Sequence, residues 1–327
     1  MRIFVTGGTG FVGTEVLSRL VRAEHEVVAL VRDPDRLTVR GVAQVVEGDV
    51  TRPDSYHQAL ENCQACVHLV GILREFPGQG ITFEKLHYQA TVDLLRSCSR
   101  FGVKRFLHMS ANGAERAIQT GYMVSKAKEE EAVRASALDW TIFRPSVVYG
   151  GREDRPSFVS TLVDSMKRLP LLPYFGDGSY RLAPVSVTEV ASAFVAALER
   201  PESIKQAYHL CGPEVYTYRA VLTMLREAGG HKVRLIPFPF WLMEAASGVL
   251  GGFSWFPVTD GMLRMLKEGN TCPESGLTHI DLGVGPRSFE AWLYEREGQP
   301  LESKNTRMIA GEPTITRTLE SEDQPLS

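Results

Sequence analysis

Cysteine is scarce: Cys63, Cys66, Cys98, Cys211 and Cys272 are the five among 327 residues. They are too few and too scattered for a disulfide framework, so reduced thiols are expected. Cys63 and Cys66 form a lone Cys-x-x-Cys that runs into the apolar Val67-His-Leu-Val70, and packing, not metal or redox chemistry, is expected there. No metal site is expected elsewhere. A bias of charge is also missing: 36 Lys and Arg against 39 Asp and Glu leave −3 with no basic stripe, which argues against nucleic acid as a partner. Finally, no apolar run reaches the about twenty uninterrupted residues of a membrane span. The nearest candidate, Leu235–Val258, carries one charge at Glu244 and is broken by Pro237, Pro239 and Gly251-Gly252. It is expected as a buried helix over a substrate pocket, the alternative being a peripheral membrane or protein-complex contact through 235–258. With a strand reading from Arg2, no targeting peptide fits ahead of the fold, and a cytoplasmic protein, peripheral to a membrane at most, is expected.

What is present is concentrated at the start. Arg2 to Val5 reads as a buried strand, Gly7, Gly8, Gly10 and Gly13 follow, and Phe11 to Val21 has apolar residues at helical spacing. Glu26–Val31 reads as the next parallel strand. A strand, glycine turn and helix in this order suit a dinucleotide: the glycines permit a sharp bend and close approach to the pyrophosphate, which faces N–H groups at the helix start. Gly7, Gly8, Thr9, Gly10, Phe11, Val12 and Gly13 are therefore candidate cofactor residues.

Further strands are expected at Ala43–Glu47, Ala65–Val70, Lys104–Met109 and Trp140–Arg144, with helices at Phe83–Phe101 and Gly121–Ala137. This alternation predicts an α/β fold, a Rossmann-type doubly wound parallel sheet with ligand at the carboxyl ends of the strands. Residues 1–150 would form the nucleotide-binding domain and 151–298 a smaller, mixed substrate or lid region. In the latter, Glu189–Glu199 and Tyr218–Ala228 read as helices, and Ala183–Val187 and Ala207–Cys211 as short strands able to return to the sheet. The polar, pattern-free 299–327 reads as a mobile tail.

Tyr122 and Lys126 form Tyr-x-x-x-Lys at the start of the helix after the fifth strand. One turn apart, they share a face. There a lysine ammonium lowers the phenol pKa and holds a nicotinamide ribose, so that the tyrosine protonates a carbonyl as hydride arrives from the cofactor.

With Thr6-Gly-Gly-Thr-Gly-Phe-Val-Gly13, Gly48-Asp-Val50, Tyr122-x-x-x-Lys126 and Arg144-Pro-Ser-Val-Val-Tyr-Gly150, the chain resembles the extended short-chain dehydrogenase/reductase superfamily, of epimerase/dehydratase type, over about residues 1 to 215. The resemblance implies that Asp49 and Val50 lie by the adenine, that Val70 and Gly71 at the end of the fourth strand line the cofactor, and that Pro145 and Val148 lie by the nicotinamide. It implies a carbonyl hydrogen-bond donor after the fifth strand. Here Ser110 falls one place early and Ala111 takes that position, leaving Ser110 by a register shift, or Asn112, as the donor. The Asn of the helix before the fifth strand aligns with His87. With Val258–Asn270 and His279–Gly283, these departures make the chain similar to an atypical subgroup, that of the nucleotide-binding accessory subunit of respiratory complex I and its bacterial relatives.

Arg32 ends the second strand where an acidic residue would select NAD(H), and Arg36 lies one turn on if Asp33–Leu37 is helical. NADP(H) is favoured, with NAD(H) open through Asp33. The expectation is an NADPH-dependent oxidoreductase with Tyr122, Lys126 and Ser110 catalytic and a small, carbonyl or quinone-like acceptor beside Phe238, Trp241 and Trp255. The alternatives are a nucleotide-binding scaffold or redox sensor on a respiratory or membrane complex, and a sugar-nucleotide epimerase or dehydratase.

Overall fold

The computed structural model describes residues 1–116, 120–151, 155, 157–242 and 260–298. Strands β1 (Arg2–Thr6), β2 (Glu26–Val31), β4 (Ala65–His68), β5 (Arg105–Met109) and β6 (Asp139–Pro145) are almost continuously buried, as expected of parallel strands covered on both faces. With the edge strand β3 (Gln44–Glu47), β11 (Gln206–Leu210) and β14 (Leu277–Thr278), they form an eight-stranded parallel sheet in the order β14-β11-β6-β5-β4-β1-β2-β3. The order reverses between β1 and β4, opening a crevice at their carboxyl ends.

Successive side chains of a strand face opposite sides, so each face has its own helix layer. Ile3 and Val5 face α1 (Phe11–Arg22) and α5 (Val187–Glu199), packing with Val16, Leu17, Leu20, Val190 and Phe194. Phe4 faces the other way, with Leu94 and Cys98 of α2 (Ala90–Arg100) and Val133 of α3 (Gly121–Ala135). A third cluster lies beyond the sheet. It joins Tyr149 of β7 (Val148–Tyr149) to α4 (Phe158–Arg168), β8 (Leu171–Phe175), α6 (Tyr218–Ala228) and α8 (Phe289–Arg296), with Phe289 packed edge-on against Tyr149 at 4.9 Å. Two-residue strands β9 (Arg181–Leu182), β10 (Val185–Ser186) and β12 (Tyr216–Thr217), strand β13 (Arg234–Phe238) and helix α7 (Asp260–Glu268) complete the described elements.

Three expectations are corrected. Cys211 and Cys272 are joined in a disulfide, although 61 residues apart, because β11 and the turn after α7 end side by side; only Cys63, Cys66 and Cys98 are free, and all three are buried. The stretch from Arg234 begins as a strand, paired in parallel with β8, and not as a helix, and Ile236, Trp241 and Leu242 are exposed. Prolines at 237 and 239 deny the backbone N–H groups that a helix needs. The helix expected over Phe83–Phe101 starts with a π-type turn at Glu84–Gln89. The rest of 235–258 from residue 243, Trp255 included, lies outside the described residues, as does 299–327. No helix among the described residues is long and apolar enough to cross a membrane.

Candidate functional site

The glycine turn connects β1 to α1 at the crevice. Gly7 has φ +76°, and a Cβ there would stand 2.7 Å from the Leu69 carbonyl carbon. Only glycine fits that left-handed, close approach. Gly10 N–H donates to Gly7 O at 3.0 Å, and Thr14 Oγ1 donates to Gly10 O at 2.8 Å, which locks the turn. Gly10 caps α1 without a side-chain hydrogen bond, and the first turn has no acidic residue. The helix therefore presents orphan N–H groups and an uncompensated positive end to an anion.

At the far end of the crevice, a cleft of about 740 Å³ is lined by Arg32, Gly48, Asp49, Arg52 and Ser55 among others. Asp49 Oδ1 accepts from Thr51 N and Oγ1, both at 2.8 Å. Against the opposing effect of burial, these bonds and the charges of Arg32 and Arg52 hold its carboxyl below the usual range. Asp33, the alternative ribose ligand, instead caps the short 3₁₀ turn Pro34–Arg36 by accepting from Asp35 N. Arg36 is exposed, and its carbonyl accepts from Arg155 at 2.7 Å. Arg52 was not singled out from sequence, although its place three residues after Asp49 was visible there. Val50 is buried in the core beside Phe4 and Leu30, while Val70 and Gly71 lie on the loop after β4.

Tyr122 and Lys126 do share a face of α3, but their surroundings differ from the expected pairing. Lys126, 2% exposed, donates to Met109 O at 2.8 Å and pairs with Glu129 Oε2 at 2.6 Å. Glu129 is fully buried; burial raises its carboxyl pKa, with Lys126 acting in the opposite direction. From Glu129 a polar chain runs inward with each donor fixed by the carboxylate at its end. Thr91 Oγ1–H donates to Glu129 Oε1 (2.9 Å), His68 Nε2–H to Thr91 Oγ1 (3.1 Å), and Thr6 Oγ1–H to His68 Nδ1 (2.6 Å). The half-buried Tyr122 ring stands edge-on to Phe83 and His87. Burial, and then the Glu129 charge, pushes its phenol above the ordinary value, the opposite of the lowering expected from Lys126. Lys126 does not lower it, because the ammonium is paired with the Glu129 carboxylate.

His87 replaces the expected Asn with a different clamp. Its Nε2 accepts from Ile72 N at 2.9 Å, so the ring proton sits on Nδ1 and is donated to Ser125 Oγ at 2.8 Å. The ring thus ties the loop after β4 to the Tyr122 helix. Atoms of His68, His108 and Glu129 converge within 4.8 Å of one another, a separation at which a metal could be held. Both His68 nitrogens are engaged by threonines, however, and the Lys126 ammonium stands at Glu129, so the resident cation of this cluster is the lysine.

The three residues after β5 point elsewhere. Ser110 Oγ donates to Glu130 Oε1 at 2.7 Å, and Glu130 also holds Arg144 in a two-point pair at 2.8 and 2.6 Å. Ala111 brings no donor. Asn112 Nδ2 donates to Asn270 Oδ1 (2.7 Å) and Thr271 O (3.0 Å), while its Oδ1 faces His209 Nδ1 (3.1 Å). Pro145 is buried at the end of β6, its carbonyl accepting from Asn112 N, and Val148 follows in β7 beside Val185. Glu129 and Asn270 are the functional neighbours that sequence reasoning missed. A carboxylate three residues after Lys126 was a readable signal for the first; the second depends on a contact 158 residues away.

A parallel sheet with this strand order, opened by a glycine turn and carrying Tyr-x-x-x-Lys on the helix after β5, defines a nucleotide-binding α/β protein of the short-chain dehydrogenase/reductase type. Residues 7–201, more than half of the chain, match the NAD(P)H-binding family, and the chain belongs to it. It is 24% identical over 298 residues to the mitochondrial NADH-ubiquinone oxidoreductase 40 kDa subunit of Neurospora crassa, covering 89% of this chain and 77% of that one. It is 21% identical to a photosystem II assembly factor of Synechocystis, over 97% of each chain. Among solved structures, the UDP-glucose 4-epimerase of Thermus thermophilus in complex with NAD matches with a TM-score of 0.69 at 21% identity, over 91% of this chain and 98% of that one. That likeness is one of fold.

Proposed function

We infer that this protein binds a nicotinamide dinucleotide, NADP(H) in preference to NAD(H), as a lasting component or redox sensor without efficient hydride transfer. The observation that carries this reading is the setting of Tyr122: burial first, and then the charge of Glu129 paired with Lys126, leave its phenol harder to ionise than in water. Ser110 and Asn112 are engaged inside the protein, and Ala111 offers no hydroxyl to a substrate carbonyl. Carbonyl or quinone reduction is the second reading, favoured by the half-exposed Tyr122 one turn from Lys126.

The test is to load the protein with NADPH, confirm occupancy, and mix it with a panel of carbonyls and quinones while following nicotinamide absorbance. We expect the absorbance to persist. Tyr122→Phe should leave NADPH affinity unchanged, whereas Lys126→Ala should weaken it by ~10–100-fold, the worth of a charged hydrogen bond to ribose. Oxidation of the cofactor that disappears in Tyr122→Phe would overturn the sensor reading in favour of the reductase.

The preference for a 2′-phosphate rests on Arg32 and Arg52 flanking Asp49. Arg32→Asp should move the NADPH/NADH affinity ratio towards NADH by ~10–100-fold. A ratio unchanged within error would reject Arg32 as the phosphate ligand.

The relatives named for a respiratory complex and for photosystem assembly support a protein that works beside a membrane-bound redox assembly. The apolar surface of Leu169, Leu171, Ile236, Trp241 and Leu242, with Trp241 68% exposed, is where such a contact would form. It includes the described part of 235–258.

A further inference from the structure

The disulfide lies where the reading above places the nicotinamide end of the cleft. Cys211 directly follows β11, whose last carbonyl, Leu210 O, accepts from Ser146 N at 2.9 Å in the loop between Pro145 and Val148. Cys272 ends the short segment 270–272 that crosses the carboxyl ends of β5 and β6. Along that segment, Asn270 O accepts from Ser146 Oγ (2.9 Å) and Ala183 N (2.9 Å). Thr271 O accepts from Asn112 Nδ2 (3.0 Å) and Arg116 Nη2 (2.7 Å). The bond between Cys211 and Cys272 therefore fastens a remote segment onto both loops, after β5 and after β6, that flank the site.

The distribution of cysteines separates this pair from the rest. Cys63, Cys66 and Cys98 are buried in the apolar layer against α2, where burial raises the thiol pKa of Cys63 and Cys66. Cys211 and Cys272 are both partly exposed, and exposed Pro273 and Glu274 follow Cys272. An accessible pair at the site and inaccessible thiols elsewhere is the arrangement in which a small disulfide or dithiol reacts at one place only.

We propose that Cys211 and Cys272 are a reversible thiol–disulfide modification site that couples the redox state of low-molecular-weight thiols to nucleotide binding. In the oxidising direction, one cysteine thiolate attacks a small disulfide RSSR, forming a mixed disulfide and releasing RS⁻. The second thiolate then displaces the remaining RS⁻. Two cysteine thiols lose two electrons and two protons, and RSSR becomes two RSH. A small dithiol reverses the exchange. Oxidised, the clip holds Asn112, Arg116 and Ser146 against 270–272 and presents a preorganised nicotinamide end. Reduced, the segment rests on its hydrogen bonds alone and the loops loosen.

The coupling rests on the nucleotide-binding reading, and the experiment separates the two. The full chain is equilibrated with glutathione disulfide or with dithiothreitol, its thiols are counted by alkylation and mass spectrometry under native conditions, and NADPH affinity and amide hydrogen exchange are measured in each state. Oxidation should remove two alkylatable thiols, both mapped to Cys211 and Cys272, and tighten NADPH binding by about tenfold through preorganisation. Exchange over 110–116 and 144–150 should speed up on reduction. Cys211→Ser and Cys272→Ser should each behave as the reduced protein in either buffer. If NADPH binds in neither state yet exchange at those loops still follows the thiols, the nucleotide reading and the coupling fail while the thiol–disulfide site itself stands. A disulfide that resists dithiothreitol in the folded protein, or equal exchange and equal affinity in both states, overturns the proposal.

Discussion

Gly13→Ala should abolish detectable nucleotide binding while leaving a folded, less stable protein. Gly13 lies in the first turn of α1, and a Cβ there would fall 2.1 Å from Gly7 O and 2.8 Å from the Gly8 Cα. Both are backbone atoms of the turn that must face the pyrophosphate, so no rotamer relieves the contact, and the turn has to move by about an ångström. Overpacking of this kind costs about 1–3 kcal/mol of stability. The loss of binding is larger in proportion, because the N–H groups of the turn lose their common aim; a fall of ~100-fold or more is expected. Titration calorimetry with NADPH and urea unfolding measure the two effects separately. An unchanged dissociation constant would place the pyrophosphate elsewhere.

The second large effect is acid lability. His68, His87 and His108 are each fully buried between the sheet and α2 and α3. Burial, then the nearby Lys126 charge, holds His68 and His87 down to about 3 and His108 well below its ordinary value. All three are neutral in the fold and titrate near 6.5 in the unfolded chain. As pH falls below about 6.5, the unfolded chain takes up three protons that the native state refuses, and stability falls by up to about 4 kcal/mol per pH unit, the shares of His68 and His87 running until their folded values of about 3. Glu130, held low by Arg144 and Ser110 against its burial, adds a loss below its ordinary value, while Glu129, raised by burial, works in the other direction. Two pH units of such a slope match the whole stability of an ordinary domain. Urea unfolding at about pH 7.5, 6.5 and 5.5 should show the decline. His108→Phe should remove about a third of it, and should stabilise at every pH, because both His108 ring nitrogens lack hydrogen-bond partners. A flat profile would mean that these histidines take up protons in the fold as readily as in the unfolded chain.

Local pattern made much of the frame readable. The strand Glu26–Val31 and the helix Tyr218–Ala228 match their sequence-based bounds, and Arg2–Thr6 and Gly121–Ala135 fall within two residues of theirs, because apolar periodicity and burial agree in these segments. The failures involve partners distant in sequence. Cys211 and Cys272 meet only because β11 and the turn after α7 converge, which no spacing rule encodes. Arg234–Phe238 is as apolar as a buried helix but pairs with Leu171–Phe175 at the surface. At the site, Tyr122 and Lys126 were legible as a pair, and the spacing of Glu129 three residues after Lys126 was readable too, but its burial and its link to Thr91 and His68 depend on contacts with α2 and the sheet that spacing does not give.

The route of the chain through the main sheet has a consequence for synthesis on the ribosome. Strand β6 finds its outer neighbour in residues 206–210, and that strand is covered in turn by residues 277–278. The amino-terminal half therefore emerges with one flank of its sheet open for the time needed to translate the next 60 or more residues, at a rate of about 5–20 per second. Through those seconds the buried faces of Ile142 and Phe143 are available to any passing chain. The main sheet is therefore completed from the carboxyl-terminal side of the chain.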